Sequence, residues 1–177
     1  MIIPTLNTDR LLLRPHTLAD APDLVRLAGA QEVAATTLRI PHPYSIADGE
    51  KFIHAVQSVE GTDAAFAVVL REGLSLVGGV GLHLQLEHGR AELGYWIAVP
   101  YWGQGFATEA ALAVARYGFE ELGLHRIYAS HFAGNIASGS VLKKIGMKYE
   151  GRQRGPILKW GQYLDLELYG LLRSEWV

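Results

Sequence analysis

Glu92-Leu93-Gly94-Tyr95-Trp96-Ile97-Ala98-Val99-Pro100-Tyr101-Trp102-Gly103-Gln104-Gly105-Phe106-Ala107-Thr108-Glu109-Ala110 runs from a strand-like segment through a proline, two aromatics and a glycine pair into a helix. A helix that starts this abruptly leaves its first N–H groups without intrahelical partners. The glycines let a ligand approach that backbone closely. Such an end attracts anions, phosphate above all, so the stretch is expected to hold a pyrophosphate.

Working outward, 177 residues suit one domain, spanning 1–177, with enough chain to bury a core. Hydrophobic residues make up 49 % of the chain while charge is spread along it, the composition of a globular protein without a membrane partner. No apolar run approaches the roughly 18 residues of a membrane span. Met1-Ile2-Ile3-Pro4-Thr5-Leu6 lacks the basic and apolar parts of a secretory signal. The absence of cysteine excludes disulfides, thiolate metal sites and a cysteine nucleophile, and suits a reducing, cytoplasmic setting. A net charge of −2 argues against a nucleic-acid partner.

The pattern predicts a first strand over Thr8 to Pro15 and a helix from about Asp20 to Gly29 with Pro22 in its first turn. Ser45 and Asp48 form a capping pair for a second helix whose apolar positions are Phe52, Ile53, Val56 and Val59. Between them, Arg39 to Tyr44 reads as an extended loop. Phe66 to Leu70, Leu76 to Leu84 and Arg90 to Val99 form an antiparallel meander, turned at Glu72-Gly73 and His88-Gly89. Gly78, Gly79 and Gly81 inside its middle strand imply a bulge or a close backbone approach. A third helix runs from about Ala107 to Leu122, a strand from Arg126 to His131, and a fourth helix from Asn135 to Ile145. Met147 to Arg154 and Tyr163 to Leu172 close the chain as a strand pair. The order describes a mixed α/β (α+β) sheet with one crossover.

The glycine turn is neither a Walker loop nor the six-residue dinucleotide fingerprint, because Thr108 stands at the third glycine position. Alone it is equally a tight strand-to-helix turn. Downstream, Asn135-Ile136-Ala137-Ser138-Gly139-Ser140-Val141-Leu142-Lys143-Lys144-Ile145-Gly146-Met147 puts Asn135 at an N-cap, with Ser138 and Leu142 on its face. Together the two segments closely resemble the GNAT superfamily of N-acetyltransferases. Thr8 to Arg14, Ala91 to Trp96, Tyr101 to Ala110 and Leu168 to Trp176 resemble its ribosomal-protein N-terminal (Rim-type) branch.

The resemblance implies a twisted, mostly antiparallel sheet of about seven strands flanked by about four helices. It implies acetyl-coenzyme A as co-substrate, its pyrophosphate held by Trp102, Gly103, Gln104, Gly105, Phe106, Ala107 and Thr108. Asn135, Ser138 and Lys144 would line the rest of the coenzyme, with Ile97, Ala98 and Val99 supplying backbone donors near the thioester. Trp102 departs from the Arg or Gln usual at its position, as aromatics do in this branch. Leu142 stands where many members carry the tyrosine that protonates the leaving thiolate.

Direct acetyl transfer to an amine needs a base, an oxyanion donor and a proton for the thiolate. Glu92, on an apolar strand beside the turn, is the candidate base; it is equally placed to pair with Arg90 or His83. Ser138 is the candidate donor or relay, or else a small residue that lets coenzyme pass. Tyr169 and Tyr163 stand in reserve as donors or core residues. Glu109 reads as structural. Lys143, Lys144, Lys148, Arg152 and Arg154 form a basic cluster, for a 3′-phosphate or for solvent. The histidines show no metal spacing, and no metal is expected. The acceptor is a peptide N-terminal α-amine, with a small amine as the second reading and a non-catalytic coenzyme-binding module as the third. Either a monomer or a homodimer fits.

Overall fold

A computed structural model describes residues 3–58 and 63–176, so Val59 of the expected second helix lies outside the described residues. Within them the chain forms β1 (Leu6–Asn7), β2 (Leu11–Pro15), α1 (Ala21–Leu27), α2 (Gln31–Thr36), α3 (Ile46–Gln57), β3 (Asp63–Leu70), β4 (Leu76–Gln85), β5 (Arg90–Ile97), α4 (Phe106–Glu120), β6 (Arg126–Phe132), α5 (Ile136–Lys144), β7 (Lys148–Lys159) and β8 (Gln162–Leu172). The sheet order is β1-β2-β3-β4-β5-β6-β8-β7. It is antiparallel throughout except where β5 meets β6 after the α4 crossover.

Three elements differ from the sequence reading. Strand β1 has only two residues and exists through its pairing with Leu12 and Leu13. Helix α2 begins at Gln31 behind an Ala30 N-cap that makes no side-chain hydrogen bond, so no capping residue announces it. Strand β7 continues past Arg154 to a hairpin turn at Trp160 and Gly161, both in the left-handed region at φ 49° and 79°. Gly155-Pro156 looks like a strand breaker. Here it is absorbed by an irregularity between Gln153 and Ile157, with the Gly155 amide donating to Asp165 Oδ1 at 2.8 Å.

Alternation along β3, β4 and β5 sends one set of side chains under α4 and the other under α1 and α3. Phe66, Val68, Val80, Leu82, Ala91 and Leu93 pack with Ala110, Ala111, Val114 and Ala115 of α4. The alanines bring α4 close to the sheet: a methyl on Gly118 would already stand 2.9 Å from Leu82. On the opposite face Ala67, Val69 and Ala98 pack with Leu24, Leu27 and Ile53. Truncating a fully buried ring such as Phe66 would cost about 3–5 kcal/mol. The β4 glycines serve both a bulge and close packing. The β3–β4 register shifts between Val68 and Val69, and a methyl on Gly79 would meet the Trp96 indole nitrogen at 2.6 Å.

Candidate functional site

Strands β5 and β6 pair only at Arg90–Arg126, Ala91–Ile127 and Glu92–Tyr128. Beyond Glu92 their pairing ends, beside a cavity of about 850 Å³ lined by residues from both faces of the sheet. On one side stand the start of α4 and the α5 face of Ala137, Ser138, Val141 and Lys144; on the other, Arg39, Tyr44, Phe52, His83, Glu92 and Trp96.

The α4 turn is built as its sequence suggests. Gly103 and Gly105 adopt φ 73° and 83°, a region that favours glycine. Among the described residues, a methyl on Gly103 would meet nothing within 4 Å, so space for a ligand lies against the backbone. Gly103, Gly105, Phe106, Ala107 and Thr108 line the cavity. Trp102 donates from Nε1 to the Ile97 carbonyl at 2.6 Å and ties the turn to the end of β5. Gln104 serves the turn itself, donating from Nε2 to the Pro100 carbonyl at 3.1 Å and accepting on its own carbonyl from Arg10 Nη1 at 2.9 Å. Arg10 also lies over the Phe106 ring, 4.5 Å from its centre. Glu109 faces away from the cavity and accepts from the Thr8 hydroxyl, the Arg10 amide and the Arg10 guanidinium.

The Ala98 amide donates to the Val77 carbonyl at 2.8 Å and is thereby committed to β4. Strand alternation then turns the Ile97 backbone toward the gap. Val99 opens the 3-10 turn before α4. Ile97 is thus the residue of these three whose amide faces a ligand in the gap.

Ser138 lines the cavity, and its Oγ lies 2.8 Å from the Tyr95 hydroxyl, which also donates to the Ser138 carbonyl at 3.2 Å. Burial pushes the Tyr95 phenol up to about 12, with the Ser138 hydrogen bond acting the other way. Tyr95 was not singled out from the sequence. Its signal was its place two residues from both Leu93 and Ile97 on the inward face of β5. Asn135 accepts on Oδ1 from the Ser138 amide at 3.1 Å, as an N-cap. Leu142, where the resemblance implies a tyrosine, turns into the core and is 1 % exposed.

Tyr169 and Tyr163 lie elsewhere. Tyr169 is buried, stacked on His131 and edge-on to Tyr149, beside a separate hollow on the far side of α5. Tyr163 stands exposed near the β7–β8 hairpin tip. The basic cluster is dispersed too: Lys148 pairs with Glu175 and Arg152 with Glu167, while Lys144 alone of the five lines the large cavity.

Glu92 does line the cavity, on the face of β5 shared with Gly94 and Trp96. Its partner is neither Arg90 nor His83: Arg39 Nη2 donates to Glu92 Oε2 at 2.9 Å from a loop 53 residues away. Across the strands, Asp63, His83 and Glu92 stand in one register row, and His83 Nδ1 is hydrogen-bonded to Asp63 Oδ1. The loop bearing Arg39 is held by the β7–β8 hairpin, where Lys159 Nζ donates to the Thr37 carbonyl at 2.7 Å.

A glycine turn at a helix start beside a splayed parallel seam suits a nucleotide-tailed thioester. The family model described as "Acetyltransferase (GNAT) domain" matches residues 10–148. The chain belongs to the GNAT acetyltransferase family. It is 32 % identical over 183 residues to the uncharacterized N-acetyltransferase YoaA of Bacillus subtilis, covering 98 % of this chain and 99 % of that one. Among solved structures, a putative ribosomal-protein-serine acetyltransferase from Vibrio cholerae superposes with a TM-score of 0.80 at 27 % identity, covering 97 % and 99 % of the two chains. A spermidine N-acetyltransferase SpeG chimera from Vibrio cholerae and hSSAT superposes with a TM-score of 0.80 at 25 % identity, covering 93 % and 96 %. This GNAT chain is an acetyl-CoA-dependent N-acetyltransferase, which displaces the non-catalytic alternative.

Proposed function

We propose that this enzyme acetylates the N-terminal α-amino group of a protein or peptide, by direct attack in a ternary complex. The observation that carries the reading is the cavity itself, lined by residues from both faces of the sheet where β5 and β6 part. One side would take the coenzyme and the other an acceptor, so no covalent enzyme intermediate is needed. The acceptor mouth is bordered by a loop and by Tyr44, Phe52 and Trp96, a surface broad enough for a chain end.

The coenzyme would be held at its pyrophosphate by the amides of Gly103 to Thr108, where the α4 dipole favours anions. Lys144 would meet phosphate further along, and the Ile97 amide is the oxyanion donor. The thioester supplies an activated acetyl carbon. Ser138, hydrogen-bonded to Tyr95, is the donor for the departing thiolate; the tyrosine, protonated at neutral pH, passes a proton to the serine and regains one from solvent. Glu92, with Oε2 on Arg39, keeps Oε1 for the incoming ammonium.

A small polyamine is the second reading, favoured by the carboxylates of Asp48, Asp63 and Glu92 on the acceptor side. Acetyl-CoA turnover with Ala-, Ser- and Met-initiated hexapeptides and with spermidine separates the two. Peptide kcat/KM at least about tenfold above spermidine supports the first; the reverse order replaces it with the second.

A further inference from the structure

Resting on that reading, we infer that His83, oriented by Asp63, takes the proton from the acceptor amine, while Glu92 beside it binds the ammonium that arrives. Three strands present this row in register: Asp63 opposite His83, and His83 opposite Glu92. Directly opposed residues share a sheet face with Cβ atoms roughly 4.5–5.5 Å apart, and all three line the acceptor side of the cavity. The row lies at the last rung before β5 and β6 part, Glu92–Tyr128, which is where the gap begins.

The division of labour follows from the partners. Glu92 already shares one oxygen with the Arg39 guanidinium, which leaves its other oxygen free to anchor a cation. His83 has the opposite arrangement. A carboxylate accepts only from a protonated ring nitrogen, so a neutral imidazole bonded to Asp63 through Nδ1–H carries its lone pair on Nε2. His83 and Asp63 are each a little over one-third exposed, so the row is wet enough to pass a proton on to solvent.

The reaction balances without another reagent. His83 Nε2 first takes a proton from the ammonium and gives it up to solvent. The freed amine lone pair bonds to the thioester carbonyl carbon, the carbonyl π pair moves to oxygen, and the nitrogen, now cationic, passes a second N–H proton to His83 Nε2. The oxyanion then re-forms the carbonyl, the C–S bond breaks with its electron pair on sulfur, the thiolate takes a proton from Ser138, and Ser138 is reprotonated through Tyr95 from solvent. The products are an acetamide and the free thiol. His83 is here a catalytic residue and Asp63 a positioning residue.

The test compares the parent with His83→Gln and Asp63→Asn. Each is assayed with acetyl-CoA on an Ala-initiated hexapeptide and on methoxyamine, an amine unprotonated at neutral pH. His83→Gln is expected to lower kcat on the peptide about 10²-fold or more, with KM for acetyl-CoA within about twofold. On methoxyamine, which needs little help in losing a proton, the same variant should lose less than about fivefold. Asp63→Asn keeps the imidazole and should lose about tenfold on the peptide, again sparing methoxyamine. Full peptide activity in His83→Gln, or equal losses on both amines in both variants, overturns the proposal. A parent inactive on every amine overturns the underlying acceptor reading instead, and this one with it.

Discussion

Arg10 and Glu109 lock the N-terminal strand to the start of α4 across 99 residues. Arg10 Nε donates to Glu109 Oε2 at 2.7 Å and the Arg10 amide to Oε1 at 2.8 Å. The same arginine then reaches the Gln104 carbonyl and covers Phe106, so the pair is the rear buttress of the glycine turn before α4. Glu109→Gln should cost ~1–3 kcal/mol at pH 7, because strong donors lose a charged acceptor. Burial disfavours this carboxylate, yet Thr8 and Arg10 hold it below its ordinary range. A depressed folded value means the contribution is complete above the ordinary range near pH 4.3 and fades as pH falls through the folded value. Urea melts of parent and variant should therefore differ at pH 7 and converge on acidification.

The two turn glycines should respond differently. At Gly105 a side chain is strained at φ 83° and its Cβ would stand 3.3 Å from the Arg10 guanidinium. Gly105→Val should abolish measurable coenzyme A binding in calorimetry, while Gly103→Ala, facing open space, should weaken it by about tenfold or less. Equal, unchanged affinities would remove phosphate from this turn.

Tyr95→Phe keeps the ring and deletes the hydroxyl that meets Ser138. It should reduce kcat about 10- to 100-fold and leave coenzyme affinity unchanged. Ser138→Ala should match it, and the double variant should be no worse than either, since both act through one proton path. Additive losses in rapid-quench assays would mean separate roles.

His16 gives a pH signature in stability. Burial pushes its imidazole down to about 4 despite Asp20 nearby, against about 6.5 in an unfolded chain. With the folded value depressed, the unfolded chain binds the proton first. Stability is therefore whole above pH 6.5 and lost as pH falls toward 4, by on the order of 3 kcal/mol. Subtracting the His16→Gln denaturation profile from the parent's should expose that window.

Lys159 donates to the Thr37 carbonyl and so ties the β7–β8 hairpin to the acceptor loop. Lys159→Ala should raise KM for the amine several-fold while KM for acetyl-CoA stays within about twofold. The opposite pattern in initial-rate kinetics would place the strap outside acceptor binding.

What could be read from the residues was local. Glycine spacing announced the turn before α4, Ser45 and Asp48 announced α3, and alternation placed Glu92 on one face with Trp96. Partners distant in sequence were not readable. Arg39 reaches Glu92 across 53 residues, and Tyr95 reaches Ser138 across 43. Asp63 meets His83 only because the β3–β4 register sets them opposite. Helix α2 was hidden because it begins without a capping side chain. Leu142 was read as sharing a helix face with Ser138, yet it is buried in the core while Ser138 lines the cavity.

The middle seam of the sheet is stitched by three residue pairs and then left unzipped. On the side facing β6, the free part of β5 has no strand paired with it, and a pantetheine arm carries amides of its own. On the proposed reading, a co-substrate seated there would act as a surrogate strand, bridging the two halves of the sheet. Saturation with coenzyme should then toughen the whole enzyme against heat as well as arm it for reaction.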